Sequence, residues 1–197
     1  MPHEIADPRK VVAKIAKILD EVGIPYFITG GFAVSIWGRP RATFDIDIVV
    51  ELIEPKVEAL AKALRRVYRA GYIDELSARD AVRDKNEFNF IDPTSGVKID
   101  FWVSKQDELS LLKNERKVAK KISGRKIYFI SPEDLILSKL HWHTMGESTR
   151  QLEDIESILK ISGKELDMKY IKKWAKNLGV YDIFNNAIKK KLKASRY

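Results

Sequence analysis

The feature that most constrains the fold is a change of pattern near residue 131. Before it, short apolar runs typical of strands alternate with stretches of helical periodicity, whereas after it only helical periodicity recurs. Strands are expected at 25–29, 46–50, 87–91, 97–103 and 125–130. A first helix is expected from Asp7-Pro8 to Gly23, followed by helices at 32–37 and 55–68 and by late helices at 132–145, 149–161, 167–177 and 181–194. The sequence therefore predicts an α+β fold, with a mixed-sheet half at residues 1–130 and an all-helical half at residues 131–197.

Composition limits the classes of protein and of site that fit this chain. Of 197 residues 45% are hydrophobic, enough for a real core. The absence of cysteine excludes disulfides, zinc–thiolate sites, iron–sulfur clusters and cysteine nucleophiles. The N-terminal MPHEIADPRK has no apolar signal-peptide core, and no apolar run reaches the roughly 18 residues of a membrane helix. We therefore expect a soluble, cytoplasmic protein with no membrane partner.

Residues 29–43 offer groups that suit a phosphate ligand. Gly30-Gly31 falls between a strand and a helix, where a turn can approach a ligand closely and helix N-terminal amides face an anion. An ordinary tight turn would use the same two residues. Arg39, Arg41 and Thr43 follow as phosphate-type donors, with a solvated loop as the alternative. These five residues are therefore candidate phosphate ligands, with the plain turn and the solvated loop left open.

Three carboxylates in apolar strands form the sharper signal. Asp45 and Asp47 are two apart in a strand and so share a face, where a divalent cation would relieve their repulsion. A strand with one wet face is the alternative, but Val49 continues the same alternation and is apolar. Asp100 lies in the apolar run VKIDFWV, where an acid is costly without a charge or a metal. Such a set suits two-metal phosphoryl transfer with Mg²⁺ or Mn²⁺.

The arrangement resembles the DNA polymerase beta-type nucleotidyltransferase superfamily. Gly30-Gly31, thirteen intervening residues, the pair Asp45-Ile46-Asp47 and the distant Asp100 match its signature. The segment GGFAVSIWGRPRATFDIDI is further similar to small prokaryotic AbiEii-like enzymes of the toxin type, and SPEDLILSKLHWHTMGESTRQLEDIESIL resembles their helical motif.

This resemblance implies a catalytic domain at residues 1–130 and a helical domain at residues 131–197. It implies transfer of a nucleoside monophosphate from a nucleoside triphosphate to a hydroxyl, with release of pyrophosphate. The metal ligands and catalytic residues would be Asp45, Asp47 and Asp100. A toxin-type enzyme would also have a cognate antitoxin as its inhibitory partner.

The helical half contributes one further candidate, Lys139. Apolar neighbours surround it on one helix face, so its ammonium must reach solvent or meet an anion. The resemblance implies that this anion is the nucleotide phosphate. Arg150 and Asp154, four residues apart, could take part in the site or simply form an intrahelical salt bridge.

The net charge of +8 falls entirely in the last fifth of the chain. Residues 160–197 hold 11 Lys and Arg against three acids. Such a basic segment favours RNA, such as a tRNA end, as the acceptor, although a solvated helix face is the plain alternative. A protein side chain or a small molecule of the aminoglycoside kind remains open as acceptor. The rival function is a catalytically silent module that binds RNA or a protein partner.

Overall fold

The computed structural model describes residues 7–43, 45–146 and 148–194, with side chains as far as Lys189. The strands are β1 (Tyr26–Ile28), β2 (Asp45–Val50), β3 (Tyr72–Ile73), β4 (Glu87–Asp92), β5 (Val97–Val103), β6 (Val118–Ile122) and β7 (Arg125–Phe129). The helices are α1 (Pro8–Val22), α2 (Gly30–Trp37), α3 (Val57–Val67), α4 (Glu75–Asp84), α5 (Glu108–Glu115), α6 (Pro132–Gly146), α7 (Thr149–Ile161), α8 (Met168–Asn177) and α9 (Tyr181–Ala194).

The seven strands form one mixed sheet in the order β3-β4-β5-β2-β1-β7-β6. The central pair, β2 and β5, is parallel, and so is β1 with β7; the remaining neighbours are antiparallel. The chain leaves β2 and returns to β5 only after two helices and two strands. Residues more than fifty positions apart in sequence therefore lie side by side at the centre of the sheet.

The contacts among the residues divide the chain into two compact units. The first comprises the described residues of Met1–Phe32 and Thr43–Ile130, and the second comprises those of Ala33–Ala42 and Ser131–Tyr197. The predicted boundary at residues 130 and 131 stays a prediction, since the contacts group residues 33–42 with the later helices.

In the first unit, one face of the sheet forms the core. The alternation of β2 and β5 buries Ile46, Ile48, Val50, Ile99, Phe101 and Val103. Helix α1 contacts α3 and β7. Asp7 caps α1 by accepting from the backbone N–H of Arg9, and Gly23 ends the helix at a positive φ of 70°. Capping thus sets the ends of α1, and the alternation along β2 and β5 sets which of their side chains enter the core.

In the second unit, the helices pack through their apolar faces. Helix α6 contacts α7 and α8, and α9 contacts α7 and α8. The buried side chains include Leu137, Leu140, Ile155, Ile158, Ile171, Trp174 and Phe184. Two buried acids are satisfied within this unit: Asp134 accepts from Ser131 and Tyr170, and Glu133 accepts from the backbone N–H of Asp167.

The predicted α+β class, with a helical C-terminal part, is confirmed by this architecture. The sequence reading missed β3, α4, α5 and β6. In the described residues, no helix has the length and apolar character to cross a membrane. The predicted lack of a signal peptide concerns the N-terminal segment, of which residues 1–6 lie outside the described residues. Residues 195–197 of the basic C-terminal segment lie outside them as well.

Candidate active site

The second face of the sheet in the first unit carries the acids of its two central strands. Because side chains alternate along a strand, burial of Ile46 and Ile48 turns Asp45 and Asp47 to the opposite face, where both are half-buried. On β5 the same alternation places Lys98, Asp100 and Trp102 on this half-buried face. We call this surface the carboxylate face.

Strand register brings two of the predicted acids directly opposite each other. Asp47 on β2 is the Cα partner of Asp100 on β5, and on the other side of β5 Asn89 is the partner of Asp100. Neighbouring strands lie about 4.8 Å apart, so these three residues form a row across the sheet. Asp45 lies two residues before Asp47 on β2, opposite Lys98 on β5. A shallow cavity that includes Glu87 and Asn89 adjoins this row.

Gly30 lies hard against the carboxylate of Asp47. It starts α2 with a positive φ of 61°, and a Cβ built on it would overlap the Asp47 carboxyl group. The backbone N–H of Thr29 donates to the Asp47 carbonyl at 2.9 Å, which fixes the turn to the strand. Glycine is therefore required here for two independent reasons, conformation and space. The turn predicted at Gly30-Gly31 adjoins one of the predicted acids.

Thr43, another predicted site residue, is tied to the start of β2. Its hydroxyl donates to the backbone carbonyl of Asp45 at 3.1 Å, and the residue is half-buried. The structure thus brings Gly30, Thr43 and the three predicted acids to one end and one face of the first unit.

Lys98 is the residue of this face that sequence reasoning missed. Its Nζ donates to Oδ2 of Asp100 at 2.8 Å. This hydrogen bond raises the pKa of Lys98 against a smaller opposing effect of burial, and the charges of Asp100 and Asp45 act in the same upward direction. The signal was present in the sequence: Lys98 precedes Asp100 by two residues in a strand and so shares its face.

The donor chemistry of the carboxylate face suits a hard divalent cation. Carboxylate oxygens are the ligands that Mg²⁺ and Mn²⁺ prefer, and here two carboxylate-bearing residues are opposed on neighbouring strands with a third on the same face. Within the part of the chain that the structure describes, however, no three acidic or histidine side chains stand together as a ready cluster. Lys98 already donates a hydrogen bond to one Asp100 oxygen, which a metal would have to displace to bind that atom.

The other three predicted phosphate ligands belong to the second unit, where two of them share one carboxylate. Arg41 donates to Asp154 through Nε and Nη2, at 2.8 and 2.9 Å, and Lys139 Nζ lies 2.8 Å from Asp154 Oδ2. Burial of Asp154 acts to raise its pKa, but the hydrogen bonds from Arg41 and Lys139 outweigh burial and lower the pKa. The anion that Lys139 meets here is therefore a protein carboxylate.

Helix α7 also holds the backbone of the segment that carries Arg39 and Arg41. The Arg39 backbone N–H donates to Ser157 Oγ at 2.5 Å, and Ser162 Oγ donates to the Trp37 carbonyl at 2.6 Å. The side chain of Arg39 is exposed. Arg150 does not form the intrahelical bridge considered from the sequence: its Nη2 lies 3.5 Å from the Ala42 carbonyl, while Asp154 binds Arg41 and Lys139.

Comparison with known proteins identifies the fold through solved structures alone. No protein-family model matches the sequence, and no curated protein matches it. A nucleotidyltransferase-like antigenic protein from Paracoccidioides brasiliensis is 20% identical, with 77% of this chain and 75% of that one covered and a TM-score of 0.55.

Two further structures are similar over most of their length. The antibiotic-resistance factor ANT(2″)-Ia is 14% identical, with 96% of this chain and 97% of that one covered and a TM-score of 0.58. The lincosamide antibiotic adenylyltransferase LnuA, solved with lincomycin bound, is 15% identical, with 80% and 98% covered and a TM-score of 0.55. With its mixed sheet and helical C-terminal part, this chain has the nucleotidyltransferase fold.

Proposed function

We propose that this chain is a divalent-metal-dependent nucleotidyltransferase that transfers a nucleoside monophosphate from a nucleoside triphosphate to a hydroxyl acceptor. The observation that carries the proposal is the direct opposition of Asp47 and Asp100 on parallel strands, with Asp45 on the same face and Gly30 against Asp47. The nucleotidyltransferase fold supports it, because similar structures include adenylyltransferases.

The proposed reaction is one substitution at phosphorus. The acceptor oxygen forms a bond to the α-phosphorus, the bond from that phosphorus to the bridging oxygen breaks, and pyrophosphate leaves. Asp45 and Asp47 would hold the cation, and Asp100 would complete its ligands and favour removal of the acceptor proton. Bound Mg²⁺ or Mn²⁺ would neutralise charge on the triphosphate and increase the acidity of the attacking hydroxyl.

The proposed phosphate contacts begin at the diglycine turn. The backbone N–H groups of Gly30 and Gly31 lie in the first turn of α2, where the helix dipole favours an anion, and Thr43 is the nearest predicted hydroxyl donor. The assignment of Arg39, Arg41 and Lys139 to nucleotide phosphates stays a prediction. For Arg41 and Lys139 it requires that phosphate share these cations with Asp154.

The acceptor that we place first is an RNA end. Lys169, Lys172, Lys173 and Lys176 are all exposed on α8 at helical spacing, which gives this helix a basic face. A small-molecule hydroxyl is the second candidate, favoured by the likeness to antibiotic-modifying enzymes. The AbiEii-like subtype, a cognate antitoxin and a cytoplasmic location stay predictions from the sequence.

A labelled-transfer experiment tests the proposed activity. The purified chain is incubated with each α-labelled nucleoside triphosphate, MnCl₂ or MgCl₂, and either total RNA or a panel of hydroxyl-bearing small molecules. We expect label on one acceptor class, and its loss in Asp47→Asn, which keeps the side-chain shape beside Gly30. Asp80→Asn, an exposed acid on α4 of the same unit, is the matched control and keeps parental activity.

The silent-module alternative is favoured by one observation, the ion pair between Lys98 and Asp100. If Lys98 permanently replaces the cation, the face binds no metal. Calorimetry separates the two functions, because an active enzyme binds nucleoside triphosphate together with Mn²⁺. A silent module shows no heat of binding with nucleoside triphosphate or with Mn²⁺. It still binds RNA, with an affinity that falls steeply as the salt concentration increases.

A further inference from the structure

The Lys98 ammonium and the proposed metal would both bind Oδ2 of Asp100. The Lys98 ammonium donates to Oδ2 of Asp100 at 2.8 Å, and the Asp100 side chain is only 15% exposed. Lys98 is also the Cα partner of Asp45 on β2, so it stands between two of the three acids of the carboxylate face. Among the side chains that β2 and β5 place on this face, it is the one that carries positive charge.

A divalent cation and an ammonium compete at such a position. The ammonium satisfies one carboxylate oxygen by a charge-assisted hydrogen bond, which metal coordination of that oxygen must replace. A positive charge within a few ångströms also repels a second cation, and the half-buried setting of the face weakens the screening by water. Both effects lower the affinity of the face for a metal, even though three acids attract one.

We propose that Lys98 is a positioning residue that holds the Asp100 side chain in place on the carboxylate face and weakens the affinity of this face for the divalent cation. This inference rests on the proposed function, since it concerns the same metal site. Lys98 fixes the Asp100 side chain in place and yields its oxygen when the metal binds together with the triphosphate. Metal binding is thereby coupled to triphosphate binding. The negative charge of the triphosphate offsets the positive charge of Lys98, which otherwise disfavours the metal.

A purely structural role for Lys98 predicts the opposite change in metal affinity. If Lys98 only supports the fold, its removal loosens β5 and leaves metal affinity unchanged or weaker. If Lys98 competes with the metal, its removal frees Oδ2 of Asp100 and takes one positive charge from the face, which strengthens metal binding. The direction of the change in metal affinity therefore separates the two roles.

Calorimetric titration of the triphosphate-free protein with MnCl₂ measures this affinity directly. We expect Lys98→Met to bind Mn²⁺ about 5-fold more tightly than the parent, the size expected from losing one partly exposed ion pair. Lys98→Arg keeps the charge and stays close to the parent. Lys121→Met is the matched control, since it removes an exposed strand lysine at the far edge of the sheet and leaves affinity unchanged.

Thermal melts without metal establish that each variant is folded, and Lys98→Gln replaces the methionine variant should that one fail to fold. Equal or weaker Mn²⁺ binding by the folded Lys98 variant, alongside measurable binding by the parent, overturns this inference and leaves the proposed function intact. Absence of Mn²⁺ binding from the parent and from every Lys98 variant overturns the metal site itself, and with it both proposals. Asp100→Asn in the Lys98→Met background should abolish the gain, because it removes the contested oxygen.

Discussion

At the residue scale, Gly30 and Asp47 show how closely the turn and the strand are fitted. The glycine adopts a left-handed conformation at the first position of α2, and the space where a Cβ would stand is filled by the Asp47 carboxyl group. The acid is consequently held in one position by the backbone beside it. A substitution at residue 30 must therefore disturb both the turn and the carboxylate.

Gly30→Ala is expected to be costly in two separable ways. The positive φ alone costs about 1 kcal/mol for a residue with a Cβ, and the overlap with Asp47 adds about 1–3 kcal/mol of overpacking. Urea unfolding measures the sum. Gly96→Ala is the matched control, because Gly96 has a φ of +68° but open space around a Cβ. Equal losses in the two variants would refute the proposed fit of turn to carboxylate.

A second consequence at this scale concerns transfer rather than stability. Moving the Asp47 carboxyl group by even a fraction of an ångström displaces a proposed metal ligand. We therefore expect folded Gly30→Ala to lose at least about 100-fold in labelled transfer, whereas Gly96→Ala keeps parental activity. Parental transfer by Gly30→Ala would contradict a role for this turn beside the site.

At the scale of elements, α7 fastens the segment that carries Arg39 and Arg41. Asp154 is almost fully buried and forms ion pairs with Arg41 of that segment and with Lys139 of α6. Ser157 and Ser162 form hydrogen bonds with the backbone of the segment, at Arg39 and Trp37. One helix thus fixes a stretch of irregular chain 113 residues earlier in sequence. Because Lys139 is also buried, Asp154 is the counter-charge that makes its burial tolerable.

Asp154→Asn is expected to cost about 3–5 kcal/mol, because it leaves a buried ammonium without its carboxylate. Guanidinium unfolding, followed by far-ultraviolet circular dichroism, measures the loss of unfolding free energy. Ser157→Ala removes one hydrogen bond from the same helix and should cost only about 1 kcal/mol. A loss from Asp154→Asn no larger than that from Ser157→Ala would mean that Lys139 finds solvent instead.

The same carboxylate makes a pH-dependent contribution to stability. The pKa of Asp154 is lowered from its usual 3.8, so the folded state binds its proton less tightly than the unfolded state. The contribution is therefore complete above the unfolded pKa and is lost as pH falls through the lowered folded value. Unfolding free energies of the parent and Asp154→Asn should converge as the pH falls below the usual pKa of 3.8. A difference that stays constant with pH would exclude ionised Asp154 as the source.

At the scale of the whole molecule, charge is distributed unequally along the chain. The excess of +8 belongs to residues 160–197, and the exposed lysines described on α8 share one helical face. Trp174 is buried, and Lys173 lies 5.7 Å from its ring centroid, so the aromatic residue supports the helix rather than offering a free stacking surface. Any RNA contact on α8 would therefore be made mainly by lysine charge.

RNA binding through this face should weaken when its charge is reversed. We expect Lys172→Glu combined with Lys176→Glu to reduce RNA affinity and to make the slope of log affinity against log salt less steep. Lys10→Glu combined with Lys121→Glu, at exposed positions of the first unit, changes net charge equally and serves as control. Equal effects in both double variants would indicate attraction by overall charge, and no effect in either would favour a small-molecule acceptor.

The sequence determined the elements whose local pattern is strong. Asp7-Pro8 and Gly23 bound α1, and the alternation in DIDIVV places Asp45 and Asp47 on one face, because both signals act within a few residues. The elements it did not reveal have little apolar pattern to detect. Helix α5 and strand β6 bury no residue, and α4 buries only Ala78 and Ala81.

Only the tertiary structure decided which charged groups meet. Asp47 faces Asp100 because β2 and β5 pair in one particular register, and a shift of one residue would have turned an apolar side chain toward it. Asp154 binds Arg41 and Lys139 rather than Arg150 because helix packing brings those partners to its buried carboxylate. Spacing along a chain limits which side chains share a face, whereas pairing between distant segments follows from the packing of the whole core.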